Sequence, residues 1–167
     1  MKVLVYAPEL CDARLGCEET CARTWFKEAN HQKSAIRILE VERQPRSAVE
    51  AAPPGTNGAA LRGRPEGQHA ANICTQCGQC IDVCPTLAIQ RDKRGVVRID
   101  KDLCVGCLSC VGFCPYGAMR IHPDHTVPFK CVACGSCAKT CPTGALAVLD
   151  LPDAPATVTE KRLKGAA

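Results

Sequence analysis

The chain has 167 residues, a formal net charge of +4, 15 cysteines and aromatic residues at only 4%. That length suits one compact domain or two very small ones, and so few large apolar side chains leave part of the interior to be filled by something else. No apolar run approaches the ~20 residues that span a bilayer, and the opening MKVLVYAPELC lacks the charged region and long apolar run of a signal peptide.

In chain order, KVLVY (2–6) reads as the first strand. CDARLGCEETC follows, with Cys11, Cys17 and Cys21 in an unusual C-x5-C-x3-C spacing. Trp25 and Phe26 come next and are expected to pack in the core rather than relay electrons. SAIRILEV (34–41) reads as a second strand. Residues 42–72 are rich in Pro, Gly, Ala and Arg without periodicity, and are expected to form a linker or surface loop. Then comes CTQCGQCIDVCP, carrying Cys74, Cys77, Cys80, Cys84 and Pro85. The strand GVVRID (95–100) leads to CVGCLSCVGFCP, with Cys104, Cys107, Cys110, Cys114 and Pro115. The strand AMRIH (118–122) runs into HPDH (122–125), whose proline marks a turn rather than a histidine metal site. CVACGSCAKTCP then supplies Cys131, Cys134, Cys137, Cys141 and Pro142, and the strand ALAVLD (145–150) follows. The tail 151–167 is Pro/Ala-rich, then basic, and carries no core signal.

The three long motifs share the spacing C-x2-C-x2-C-x3-C-P of bacterial iron–sulfur sites. Three thiolates on a tight loop wrap three corners of a cubane. The fourth cysteine points away, and in two-cluster proteins it reaches the neighbouring cluster. Gly78, Gly106 and Gly135 let backbone N–H groups approach the sulfurs. Structural zinc instead uses two separated C-x2-C knuckles or mixes in histidine, so this spacing favours iron–sulfur clusters. Aligned on Cys11, the first motif has Cys17 and Cys21 in register with the third and fourth ligands, and Arg14 stands at the second. It reads as a fourth copy with one ligand replaced by a permanent cation. That cation should raise the potential of its site. Asp12 is the nearest oxygen donor in sequence. The expected cofactors are three [4Fe-4S] clusters plus a fourth site, either [3Fe-4S] or [4Fe-4S] with a non-cysteine ligand.

The repeated rhythm of strand, cluster loop, short helix and strand predicts an α+β fold of tandem bacterial-ferredoxin-like dicluster units with pseudo-two-fold repeats. The expected segments are 1–41 with the first motif, the loop 42–72, a central dicluster unit 73–122, the fourth motif in 123–150, and the tail 151–167. Four such motifs resemble the four-cluster electron-transfer subunits of molybdenum and tungsten oxidoreductases. CARTWFKEANHQKSAIRI after the first motif looks most like the small subunits that accompany tungsten aldehyde oxidoreductase-type enzymes.

That resemblance implies that the first motif pairs with the fourth and the second with the third. It implies clusters on Cys74, Cys77, Cys80 and Cys114; on Cys104, Cys107, Cys110 and Cys84; on Cys131, Cys134, Cys137 and Cys21; and on Cys11, Cys17 and Cys141. The implied order along the wire is first, fourth, third, second. Implied partners are a catalytic tungsten- or molybdenum-cofactor subunit and a second redox subunit (flavoprotein or ferredoxin); the two ends of such a wire also leave a docking face for further copies of the chain itself.

No nucleophile–base pair, phosphate-binding glycine loop or nicotinamide fingerprint occurs, so a non-catalytic role is expected; with neither a signal peptide nor a spanning run in view, the cytoplasm is the expected location. Counting fifteen thiolates and four cores of about +2 each, the loaded protein carries about −3. Neither a nucleic-acid surface nor a membrane span is implied. A freely diffusing polyferredoxin, or a zinc or disulfide scaffold, are the competing expectations.

Overall fold

The computed structural model describes residues 1–40 and 69–152. The strands are β1 (Lys2–Tyr6), β2 (Arg37–Glu40), β3 (His69–Asn72), β4 (Ile89–Arg91), β5 (Val97–Ile99), β6 (Arg120–His122), β7 (His125–Phe129) and β8 (Leu146–Asp150). The helices are α1 (Gly16–Phe26), α2 (Gln79–Asp82), α3 (Ser109–Gly112) and α4 (Ser136–Thr140), with 3-10 turns at Pro8–Leu10 and His31–Lys33.

The strands form four antiparallel pairs, β1 with β8, β2 with β3, β4 with β5 and β6 with β7. The β1–β8 ladder runs from Lys2 opposite Asp150 to Tyr6 opposite Leu146, joining the first motif's strand to the fourth's. Helices follow the same scheme, with α1 packed on α4 and α2 on α3.

Proline explains the helix lengths. Pro85, Pro115 and Pro142 follow the last cysteines of their motifs, and α2, α3 and α4 each stop before that cysteine, after 4, 4 and 5 residues. A residue before proline is pushed out of helical geometry, and Cys141 is extended at φ −72°, ψ 114°. Cys21 is followed by Ala22 instead, and α1 continues for 11 residues. Its buried Glu18 accepts the Ile38 amide at 2.6 Å, tying α1 to β2.

Small side chains and cysteines make up much of the core. Leu4, Ala35, Ile36, Ala118 and Leu146 pack with Cys21, Cys74, Cys131 and Cys137. Ile89, Val97 and Met119 pack with Cys110 in a second cluster.

Several expectations change. The loop expected over 42–72 ends in a strand, since His69–Asn72 pairs with β2 from Arg37 opposite Asn72 to Glu40 opposite His69. HAAN has no alternating apolar signal, and its ladder partner alone makes it a strand. Residue 41, the rest of that loop and 153–167 lie outside the described residues. The strand expected from residue 34 begins at Arg37, because Ser34 closes the His31–Lys33 turn. β4 and β7 have no counterpart in the sequence reading. The turn in HPDH forms at Pro123–Asp124, between β6 and β7. Phe26 packs as expected, 4.8 Å from the rings of both His125 and Phe129. Trp25 does not; it is 48% exposed.

Candidate metal centres

The four cysteine loops share one backbone signature. The residues two and four positions after the first cysteine have left-handed φ in every case. These are Ala13 (55°) and Leu15 (57°), Gln76 (61°) and Gly78 (96°), Gly106 (69°) and Leu108 (61°), Ala133 (49°) and Gly135 (82°). Five of these eight residues are not glycine. Each such placement costs about 1–2 kcal/mol, so the fold over-determines it. CDARLGCEETC is therefore the same loop as the other three, and Arg14 stands where they carry Cys77, Cys107 and Cys134.

The loops bring the cysteines together across motifs. Cys74, Cys77, Cys80 and Cys114 line one cavity. Cys131, Cys134, Cys137 and Cys21 line a second. Cys11, Cys17 and Cys141 line a third with Asp12 and Arg14. The third is the roomiest at about 180 Å³, against about 20 and 10 Å³ for the first two. In the remaining set, Cys110 lies within electrostatic reach of Cys104, Cys107 and Cys84.

These sets adjoin one another in an order that corrects the one implied by resemblance. Cys17 and Cys137 lie on the packed pair α1 and α4, Cys131 and Cys74 share one apolar cluster, and Cys80 packs with Cys110 in the other. The sequence of sites is first, fourth, second, third. The second motif, not the third, faces the fourth, because Cys74 and Cys131 share the apolar cluster around Ile36.

Burial pushes the inner thiols up, Cys17 and Cys80 to about 11 and Cys137 to about 12. A buried thiolate is costly unless cations compensate it, and bound iron supplies them. Backbone amides also point at sulfur. Ala35 N donates to Cys21 Sγ at 3.4 Å, Ala118 N to Cys114 Sγ at 3.3 Å, and Ala133 N to Cys131 Sγ at 3.4 Å. Outer cysteines use a hydroxyl two residues on, with Sγ–Oγ distances of 3.6 Å for both Cys107–Ser109 and Cys134–Ser136. Thr86 and Thr143 do the same for Cys84 and Cys141, and against the opposing effect of burial they lower those thiols. Burial likewise opposes a lowered Cys134, where Ser136 and the Trp25 side chain hydrogen-bond to sulfur.

All fifteen cysteines are free thiols. Among the described residues, no three His, Cys, Asp or Glu side chains converge on a single-ion point. Sulfurs ringed around a cavity, with amides aimed at them, fit a polynuclear cluster held at several corners.

Two residues at these sites escape the sequence reading. Lys130 is 6% exposed and lines the Cys74 cavity, where the other motifs have Leu10, Ile73 and Leu103 before the first cysteine. Gln76 is fully buried at a position that is Ala13, Gly106 and Ala133 elsewhere. A polar residue at a position otherwise apolar or small is the signal that could have found both.

Residues 73–118 and residues 96–142 each match a 4Fe-4S dicluster domain family, so this part of the chain is iron–sulfur and ferredoxin-like. Among similar proteins, the uncharacterized ferredoxin-like protein YdhX of Escherichia coli is 48% identical over 52 residues, which is 30% of this chain and 23% of that protein. The electron transport protein HydN of Escherichia coli is 49% identical over 53 residues, 30% of each protein. The thiosulfate reductase electron transfer subunit PhsB of Salmonella typhi is 41% identical over 59 residues, 34% of this chain and 31% of that subunit. The match thus spans under a third of the length of these curated relatives. Among the described residues, no helix is long and apolar enough to cross a membrane.

Proposed function

We propose that this chain is a non-catalytic subunit that relays electrons through four iron–sulfur clusters, between a catalytic oxidoreductase subunit and a second redox subunit. The carrying observation is the succession of four cysteine sets, with Cys17, Cys137, Cys131 and Cys74 packed in one apolar cluster and Cys80 and Cys110 in the other. Similarity to proteins named as an electron transport protein and a reductase electron transfer subunit supports the relay role. The resemblance of CARTWFKEANHQKSAIRI to small subunits of tungsten enzymes supports a tungsten or molybdenum partner. The free cysteines suit a reducing compartment such as the cytoplasm.

In this reading Cys74, Cys77, Cys80 and Cys114 hold one [4Fe-4S] cluster, and Cys104, Cys107, Cys110 and Cys84 a second. Cys131, Cys134, Cys137 and Cys21 hold the third. Cys11, Cys17 and Cys141 hold a fourth, with Asp12 or a solvent or partner ligand at the corner beside Arg14. Bound clusters supply one-electron redox chemistry. The chain's residues hold them in series, exclude water from the inner sites and aim amides and hydroxyls at sulfur.

Anaerobic purification from the native host, with iron, sulfide and co-eluting protein measured together, tests the assignment. The expected result is about twelve to sixteen irons per chain, with matching sulfide, and co-elution with a larger cofactor-bearing protein. Zinc without sulfide overturns the cluster reading. Full iron with no stable partner points to a freely diffusing polyferredoxin.

A further inference from the structure

Lys130 is a buried cation with no carboxylate beside it among the described residues. Its ammonium donates to Gln76 Oε1 at 3.1 Å and to the Cys131 carbonyl at 3.2 Å. Gln76 is itself clamped. Its Oε1 accepts the Val97 amide at 3.0 Å, and its Nε2 donates to the same Cys131 carbonyl at 2.8 Å. Both groups line the cavity of Cys74, Cys77, Cys80 and Cys114. Neither lines the cavity of the Cys131 set or that of the Cys11 set.

Burying an unpaired ammonium is costly unless a counter-charge sits close by. Here the hydrogen-bond partners are a neutral amide oxygen and a carbonyl, and the cavity that Lys130 borders is lined by four cysteines. Lys130 and Gln76 share one small cavity with the Cys74, Cys77, Cys80 and Cys114 side chains, so the ammonium stands beside that set of sulfurs.

We infer that Lys130, positioned by Gln76, selectively raises the reduction potential of the cluster on Cys74, Cys77, Cys80 and Cys114, so that this inner site holds an electron more readily than its neighbours. The physical basis is that reduction adds negative charge, which a fixed cation in a poorly screened interior stabilises. This site lies between the Cys131 set and the Cys104 set. A more oxidising centre there would hold the electron in mid-wire, away from both ends. The inference rests on the four-cluster reading, and it assigns a potential-setting role to two residues that are not cluster ligands.

The experiment is an anaerobic, EPR-monitored redox titration of the full-length loaded protein, with iron and sulfide counted on each sample. The signal lost in Cys74→Ala identifies the site. In Lys130→Met that signal should titrate at a lower potential, with the other three unmoved and the iron content unchanged. Gln76→Glu retains the acceptor for Lys130 and Val97 and adds a negative charge, so it should lower the same signal. Full iron with that potential unmoved in both variants overturns the role of Lys130 while leaving the clusters intact. If Lys130→Met loses iron, Gln76→Glu decides: an unmoved potential there also overturns the role. Wild-type protein without iron and sulfide would instead defeat the underlying cluster reading.

Discussion

Arg14 Nε lies 2.7 Å from Asp12 Oδ2, so the residue that replaces the second cysteine of the first motif pairs with the neighbouring carboxylate. The Arg14 side chain is 75% exposed, while both residues border the cavity of Cys11, Cys17 and Cys141. An exposed, paired cation is screened and largely offset. Its influence on the site's potential is therefore weaker than the sequence reading expects of an unpaired arginine. Arg14→Cys should nonetheless change that site decisively. Loop geometry puts the new sulfur at the same place as Cys77, Cys107 and Cys134. An all-cysteine cubane with a lower potential is expected, with the other three sites unaltered. Redox titration of the variant checks this. If no site changes, position 14 does not face a cluster.

Crossed ligation gives the second prediction. Cys84 follows α2 in the second motif, yet Cys110 and Cys107 in the third both sense it. Cys84→Ala should deplete the cluster on Cys104, Cys107 and Cys110, with a loss of up to about four irons per chain. The Cys74 cluster should keep its spectrum, because its fourth sulfur comes from Cys114. Loss of the Cys74 signal alone would refute the crossed arrangement.

Gly106 and Gly144 form a controlled pair, since both have φ +69°. A Cβ on Gly144 meets nothing within 4 Å, whereas one on Gly106 would lie 2.9 Å from the Thr126 carbonyl oxygen and 2.8 Å from its Cγ2. Gly144→Ala should cost only the left-handed strain, about 1–2 kcal/mol. Gly106→Ala should cost more and loosen the Cys104–Cys110 loop against β7. Anaerobic urea unfolding of the two variants, followed by cluster absorbance, measures the difference. Equal midpoints would mean that Thr126 does not approach the loop.

The turn between β4 and β5 should be pH-sensitive through Asp92. Its carboxylate meets Arg98 Nε at 2.8 Å and accepts the Arg94 and Val96 amides at 2.9 and 3.0 Å. The Arg98 guanidinium, helped by those amides and opposed by desolvation, holds the Asp92 carboxyl well below the usual range. A depressed folded value contributes stability that is present above the unfolded value of about 4 and fades as pH falls through it. Asp92→Asn should therefore unfold at a lower temperature than wild type at pH 7, and the gap should narrow below about pH 4. Thermal unfolding of both proteins across that range checks the sign. A gap that stays constant in acid would assign the effect to shape rather than charge.

Cysteine spacing alone marked the four loops, because a cubane corner set needs three thiolates on one tight turn, and that requirement is written in consecutive residues. The register of Arg14 was legible for the same reason, and the left-handed φ of Ala13 and Leu15 agrees with it. Strands such as β1 and β8 were also visible, as short apolar runs beside the motifs. Other features depend on contacts between residues far apart in the chain. β3 has no periodic signal and exists as the ladder partner of β2. Trp25 carries the composition of a core residue, yet the packing of α1 on α4 leaves it half exposed with its side chain at the Cys134 sulfur. The order of the sites turns on Cys74 meeting Cys131 across 57 positions, and the charge on the inner site turns on Lys130 reaching Gln76 across 54. Local spacing dictates which cysteines can share a loop; only the tertiary packing dictates which loops become neighbours and where a buried cation falls between them.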